Sequence, residues 1–408
     1  MGKLVYVIID GLGDEPVSLL KDKTPLEAAE TPNLDYFAQK GALGLVQNFR
    51  IDHKEFIAEN GSNFGGISLL GQNPRDTNWK RGPLESLGAG VNFREGKDLA
   101  IRCNLAFVNL KGEVENRRAG RISNEDGHTI IEEIKEKIKY SGDFELKHTL
   151  RHRAVLILKS SQPLGEEIRG SDPIEEGEHM RHVLPTNRAE ENVRSANMLR
   201  SFEERAHEVL RQSKSNNDRR SKAGYPVTHL ITRGAGTKLP ELPVYDNVAA
   251  ICTSPVEFGL AKAAGMTILG IENVTEEYEK DIEKTVALLK DQWGAHEKFV
   301  IFIKGPDTYG HEGNSMKKKN CIEYLDKTLF AFLKTQLSAQ SDVLCVTSDH
   351  ATPTKLMRHA AEPIPLLICG KIKPDTMSNF AEKYCERGSL GLIQGYDVIK
   401  KLYQLYRQ

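Results

Sequence analysis

An α/β fold with a mostly parallel sheet flanked by helices is what this 408-residue sequence predicts. Short, wholly apolar runs recur along the chain, each stops at an acid or a glycine, and helix-length stretches separate them. Apolar runs without alternation indicate strands buried on both faces, and such strands need helices on either side. The first run, Leu4 to Ile9, ends in Asp10-Gly11-Leu12-Gly13. Phe299 to Ile303 leads into Lys304-Gly305-Pro306-Asp307, and Val343 to Thr347 leads into Ser348-Asp349-His350. A fourth run, Pro365 to Ile368, follows His359. Helix-like stretches run from Glu276 to Trp293 and from Lys317 to Leu337.

The middle of the chain is richer in charge and in turn residues. Within Asn187 to Gln212, Val193, Ala196, Leu199, Phe202, Ala206 and Val209 recur at helical spacing and predict one amphipathic helix. Ser213 to Arg220 reads as a polar loop after it. These features predict a smaller α+β domain, residues 86–229, inserted into a core made of residues 1–85 and 230–408.

Composition excludes several function classes. Lys and Arg total 56 against 57 Asp and Glu, a formal charge of −1, so no basic excess exists to hold nucleic acid or an anionic membrane. No run approaches the ~18 apolar residues of a membrane span. The apolar start of the chain is too short for a signal peptide, which predicts a cytoplasmic protein. The six cysteines, Cys103, Cys252, Cys321, Cys345, Cys369 and Cys385, form no C-x-x-C pair and read as reduced core thiols.

The chemistry is expected where acids and histidines meet strand ends. Asp10, Asp307 and Asp349 each lie just past the carboxyl end of a predicted strand, the edge where open α/β sheets bind ligands. His350 follows Asp349, His311 lies four residues after Asp307, and His359 precedes the last strand. Mixed carboxylate and imidazole donors suit Mn, Zn or Fe better than an all-oxygen calcium site. Three acids and three histidines exceed the needs of one tetrahedral ion and predict a two-metal site. Ser62, in Asn60-Gly61-Ser62-Asn63-Phe64-Gly65-Gly66, reads as a nucleophile in a glycine-flanked turn at the start of a helix.

Further motifs carry a family resemblance. They include Thr31-Pro32-Asn33-Leu34-Asp35, Arg81-Gly82-Pro83-Leu84-Glu85-Ser86-Leu87-Gly88-Ala89-Gly90, Arg117-Arg118-Ala119-Gly120-Arg121, Arg151-His152-Arg153-Ala154 and Arg233-Gly234-Ala235-Gly236. With the strand-end motifs, in this order and spacing, the chain resembles the cofactor-independent phosphoglycerate mutases of archaeal type, within the alkaline phosphatase superfamily. The resemblance implies that Asp307, His311 and His359 hold one metal, and that Asp10, Ser62, Asp349 and His350 hold the other. It implies two divalent ions, typically manganese with magnesium, cobalt or zinc as substitutes, and no 2,3-bisphosphoglycerate. It also implies a phosphoserine at Ser62 during interconversion of 3-phosphoglycerate and 2-phosphoglycerate. Arg102, Arg118, Arg121, Arg151, Arg153 and Arg233 are the arginines expected to meet this small phosphorylated hydroxy acid.

The sequence departs from the family pattern near the nucleophile. Asn63 stands where relatives usually carry Asp, Gln72 lies in a changed Gly-Tyr-Asp-Pro stretch, and Phe258 stands where relatives often carry Lys. These changes leave open a phosphatase or phosphotransferase acting on another phosphorylated hydroxy acid.

Overall fold

The computed structural model of the protein describes residues 2–49, 54–77, 79–223, 225–270 and 277–408, without the side chains of 54–60, 62 and 220–223. The chain forms two compact units: Met1–Thr77 with Leu242–Thr253 and Leu260–Gln408, and Asn78–Glu241 with Ser254–Gly259.

The first unit is built on an eight-stranded sheet. Its order is Thr267–Gly270, Val248–Cys252, Lys298–Ile303, Leu4–Ile9, Val343–Thr347, Ile364–Cys369, Gly41–Gln47 and Gly391–Gln394. The first five run parallel, and Ile364–Cys369 is antiparallel to both its neighbours. The predicted runs are the centre of this sheet, and Leu4–Ile9, Val343–Thr347 and Ile364–Cys369 are buried throughout. Two-sided burial explains their unbroken apolar character, at about 1.5–3 kcal/mol for each fully buried large aliphatic side chain. Leu34 and Phe37 of helix Pro32–Gln39, Ile282, Val286 and Leu289 of Tyr278–Gln292, and Ile322 and Leu325 of Ser315–Leu325 share one core with it. Glu276, the expected start of the second of these helices, lies outside the described residues.

Register positions the site. Ile9 lies opposite Ile303, and Ile8 lies opposite Thr347. Asp10, Lys304 and Ser348 are therefore the first residues past three adjacent strands, at one rim.

The second unit is α+β. Strand Leu99–Val108 pairs antiparallel with Val114–Asn116, Arg153–Lys159 and His229–Gly236, and Asp143–Leu150 pairs with Arg153–Lys159. Helices Asn124–Lys137 and Glu190–Gln212 share a core with this sheet through Ile130, Ile131, Leu199 and Phe202. Helices Arg81–Gly88 and Pro255–Ala263 approach through glycines: a Cβ on Gly88 would lie 1.9 Å from Pro255 O, and one on Gly259 would lie 1.9 Å from Leu84 O. Such an approach ties residues 254–259 to this unit. All six cysteines are buried thiols outside any disulfide. Among the described residues no helix is long and apolar enough to cross a membrane.

Two local expectations are corrected. Ser213 to Arg220 is not a loop, because Lys214–Ala223 is a helix. Its inward positions are polar: Asn216 exchanges hydrogen bonds with the Val227 backbone, and Arg219 pairs with Asp126 at 2.8 Å. No apolar period marks such a helix. Ser62, expected at a helix entrance, has its backbone well inside helix Lys54–Leu69.

One acid of the second unit, half-buried Glu203, sets a testable pH dependence. Glu203 Oε1 accepts hydrogen bonds from Ser171 Oγ and Thr232 Oγ1, each at 2.6 Å, and burial pushes its carboxyl up to about 7. The folded state therefore holds a proton that the unfolded chain, at about 4.3, has released. The stability this contributes is complete below the unfolded value and is lost as pH rises through about 7. Glu203→Gln should flatten the decline in Tm between pH 5 and pH 8 that the unmodified protein shows in thermal melts at those pH values.

Candidate metal centre

Three loops and one short helix deliver the predicted donors. Asp10 is buried at the end of its strand, and its backbone carbonyl accepts from Asp307 N at 3.0 Å. Gly11 makes this approach possible: its φ is +66°, and a Cβ there would lie 2.6 Å from Asp307 Cα. Past strand Lys298–Ile303, Gly305 at φ +131° turns the chain into helix Pro306–His311. Asp307 in its first turn and His311 four residues later share a face.

The donor atoms converge. Asp307 Oδ1 lies 3.5 Å from His311 Nε2 and 3.4 Å from His359 Nε2, and the two Nε2 atoms are 3.1 Å apart. His311 Nδ1 faces the Met357 carbonyl at 2.9 Å. A carbonyl only accepts, so Nδ1 carries the proton and Nε2 points its lone pair at the cluster. His350 repeats the arrangement. Its Nδ1 faces the Ala351 carbonyl at 3.3 Å, and its Nε2 lies 3.1 Å from Asp10 Oδ1 and 3.5 Å from Asp349 Oδ2. Among the described residues the buried Asp10 Oδ1 has no hydrogen-bond donor, as expected where two lone pairs face each other. Facing lone pairs and clustered carboxylates are a donor set that fits a cation. Among the described residues two groups arise, Asp307-His311-His359 and Asp10-Asp307-His350, and Asp307 belongs to both. Asp349 sits beside the second, its Oδ1 accepting from Gly11 N at 3.3 Å and His350 N at 3.0 Å.

Electrostatics agree with this fit. Burial opposes ionisation of Asp10, but the Lys304 ammonium and His350 together outweigh it, and the carboxyl falls to about 2. Burial likewise opposes ionisation of Asp307, and His311 and His359 outweigh it. Burial, with Asp10 and Asp307 nearby, pushes Asp349 well above the usual carboxylate range. Three carboxylates this close cannot all ionise without added positive charge. Asp307 favours the charged form of His311, but burial and His359 prevail and lower it; burial and His350 lower His359. Neutral imidazoles are the ligating form.

The Ser62 side chain lies outside the described residues, but its helix is closely seated. A Cβ on Gly61 would lie 2.5 Å from His359 Nδ1, and one on Gly65 would lie 2.1 Å from Asp349 O. These glycines serve close approach rather than a turn. Asn63 is fully buried, and among the described residues neither its Oδ1 nor its Nδ2 has a hydrogen-bond partner.

The predicted arginines belong to the second unit and divide in two. Arg102, Arg153 and Arg233 gather with Arg81 and Arg117 around two buried acids. Glu85 Oε1 meets Arg81 Nε at 2.5 Å and Arg102 Nη1 at 3.2 Å, and Asp172 Oδ2 meets Arg117 Nη2 at 2.6 Å and Arg233 Nε at 3.6 Å. Burial opposes ionisation of Glu85, and Arg102, Arg81 and Arg153 bring it down to about 2. His152 is driven well below its ordinary value by burial and then by Arg153, Arg118 and Arg102. Arg118 and Arg121 are exposed, and Arg151 is half-buried at a turn with φ +53°. Sequence reasoning assigned no role to Arg81, Glu85, Asp172 or Lys304; Lys304 could have been found from its place three residues before Asp307.

Known proteins share this chain's pattern. The family model described as 2,3-bisphosphoglycerate-independent phosphoglycerate mutase matches residues 38–216. A protein of that name from Thermococcus kodakarensis is 35% identical over 97% of this chain and 95% of its own length. The chain belongs to the 2,3-bisphosphoglycerate-independent phosphoglycerate mutase family. A second member, from Thermococcus gammatolerans, is 36% identical over 99% of this chain and 97% of its own. Among solved structures, the cofactor-independent phosphoglycerate mutase of Thermoplasma acidophilum aligns over all of both chains with a TM-score of 0.61 and 30% identity. A Pyrococcus horikoshii protein aligns with a TM-score of 0.79 and 27% identity over 100% of this chain and 97% of its own.

Asp307 is common to both donor groups, so it carries the sharpest test of this geometry. Mn²⁺ at about 100 times its dissociation constant should stabilise the unmodified protein by about 2.7 kcal/mol. Asp307→Asn should remove most of the resulting rise in Tm, measured by thermal melts with and without the ion.

Proposed function

We propose that this phosphoglycerate mutase family member interconverts 3-phosphoglycerate and 2-phosphoglycerate through a phosphoserine at Ser62. The observation that carries the reading is the double donor cluster at one strand-end rim, with the Ser62 helix seated against His359 and Asp349 through Gly61 and Gly65. In this reading Asp307, His311 and His359 hold one divalent cation, and Asp10, Asp349, His350 and Ser62 hold another. When bound, these ions, manganese by preference with magnesium, cobalt or zinc as substitutes, supply charge neutralisation at the phosphate and an activated hydroxyl.

The chain's own groups then divide the work. Ser62 Oγ attacks phosphorus in line; the Oγ–P bond forms, the glycerate O–P bond breaks, and the serine proton passes to the released glycerate oxygen, which becomes a hydroxyl. The glycerate reorients, its other hydroxyl takes the phosphoryl group, and Ser62 recovers its proton. Lys304 sets a cation beside Asp10 and steadies that carboxylate in its ionised form. The arginines of the second unit supply forks for the substrate's anionic groups; Arg102, Arg153 and Arg233 are the ones already gathered. Water must be kept from the phosphoserine, because hydrolysis would turn the reaction into phosphate release. That outcome is the competing reading, and it is favoured by buried Asn63, next to Ser62 in sequence and without a side-chain partner among the described residues.

An enolase-coupled assay with added Mn²⁺ separates the readings. Turnover of 3-phosphoglycerate, with a gain of one phosphoryl mass on the intact protein, is expected. Ser62→Ala should lower that turnover by at least about a thousandfold. Phosphate release without isomerisation would favour hydrolysis, and no turnover by protein proven to be metal-loaded would contradict the proposal.

A further inference from the structure

Thr352 has no role in the reaction outlined above, yet it stands between the two donor groups. Its side chain is fully buried, and its Oγ1 lies 2.7 Å from Asp307 Oδ1 and 3.1 Å from His350 Nδ1. A hydroxyl has one proton to donate. Asp307 is an acceptor, so that proton is directed to Oδ1. His350 Nδ1, which also faces the Ala351 carbonyl, must then donate to the hydroxyl. The hydrogen bonds therefore run in one direction, from His350 through Thr352 to Asp307, and they leave His350 Nε2 with its lone pair toward Asp10.

The anchorage of Thr352 is unusually complete. Its N–H donates to Gly13 O at 3.1 Å. Its carbonyl accepts from Lys318 Nζ at 2.9 Å, and the same ammonium donates to Gly13 O at 3.0 Å and to Asp14 Oδ2 at 2.8 Å. Lys318 is wholly buried and its three protons meet three acceptors. It lies on the inward face of helix Ser315–Leu325 with Cys321, Ile322 and Leu325, where an apolar residue would otherwise be expected. Gly310 lets the turn that carries His311 rest on the same peptide, since a Cβ there would lie 2.4 Å from Thr352 O.

We propose that Thr352 is a positioning residue that couples the two cation subsites, with Lys318 as its anchor; this rests on the two-cation reading above. The hydroxyl orients one ligand of each subsite, so its removal should be felt by both. Thr352→Val keeps the shape and removes the hydroxyl, and Thr352→Ser restores it. Mn²⁺ titrated calorimetrically into chelator-stripped protein, with Tm recorded alongside, is the test. The unmodified protein should bind two ions. Thr352→Val should bind them about 10- to 100-fold more weakly at an unchanged Tm, and Thr352→Ser should stay within about threefold of the unmodified protein. If Thr352→Val binds two ions as tightly as the unmodified protein, the coupling role is wrong and the two-cation reading stands. If the unmodified protein binds fewer than two ions, the two-cation reading itself fails, and this proposal with it.

Discussion

Strand Leu4–Ile9 is hydrogen-bonded in parallel along both edges, and the register of those two ladders determines what the rest of the molecule can do. Parallel strands end on the same side, so pairing Ile9 with Ile303 and Ile8 with Thr347 delivers Asp10, Asp307 and Asp349 to one rim. A slip of one residue would reverse the facing of every side chain in the strand and move Asp10 away from His350. Burial on both faces makes such a slip costly. The hydrophobic term that forms the sheet is thus also the term that aims the acids.

That delivery creates an electrostatic difficulty. Three carboxylates in a buried space repel one another and lack water. The chain meets part of the charge with Lys304 and directs the Nε2 lone pairs of His311 and His350 inward, each ring oriented by a backbone carbonyl at Nδ1. The orientation needs close backbone approach, which explains why glycines 11, 61, 65 and 310 sit where a Cβ would collide with site atoms. Lys318 and Thr352 complete the frame with buried polar contacts fully matched in number, the condition under which such contacts specify one geometry.

The sequence made the centre of the sheet and the donor set legible because both follow from simple patterns: apolar runs of strand length, and an acid at the end of each. His311 was readable from its spacing to Asp307 on a helical turn. Strands Gly41–Gln47 and Thr267–Gly270 were not readable, since glycine and partial exposure blur their pattern. Helix Lys214–Ala223 escaped because its inward residues, Asn216 and Arg219, are polar. The glycines around Ser62 suggested a turn because glycine is usually read through its backbone freedom; here its small size is what matters, and the partner surface, Asp349 and His359, is distant in sequence. Lys318 was hidden for the same reason, since its acceptors come from loops some 300 residues earlier and 34 residues later.

The near-zero net charge conceals a segregation of charge between the units: acids with imidazoles in the first, and arginines crowding Glu85 and Asp172 in the second. The central claim is that the strand-end cluster is a two-cation centre, and position-resolved metal detection tests it most directly. Anomalous diffraction at the manganese edge from Mn²⁺-soaked crystals should give two peaks, one among Asp307, His311 and His359 and one among Asp10, Asp349 and His350. A single peak, or peaks away from these residues, would contradict the account.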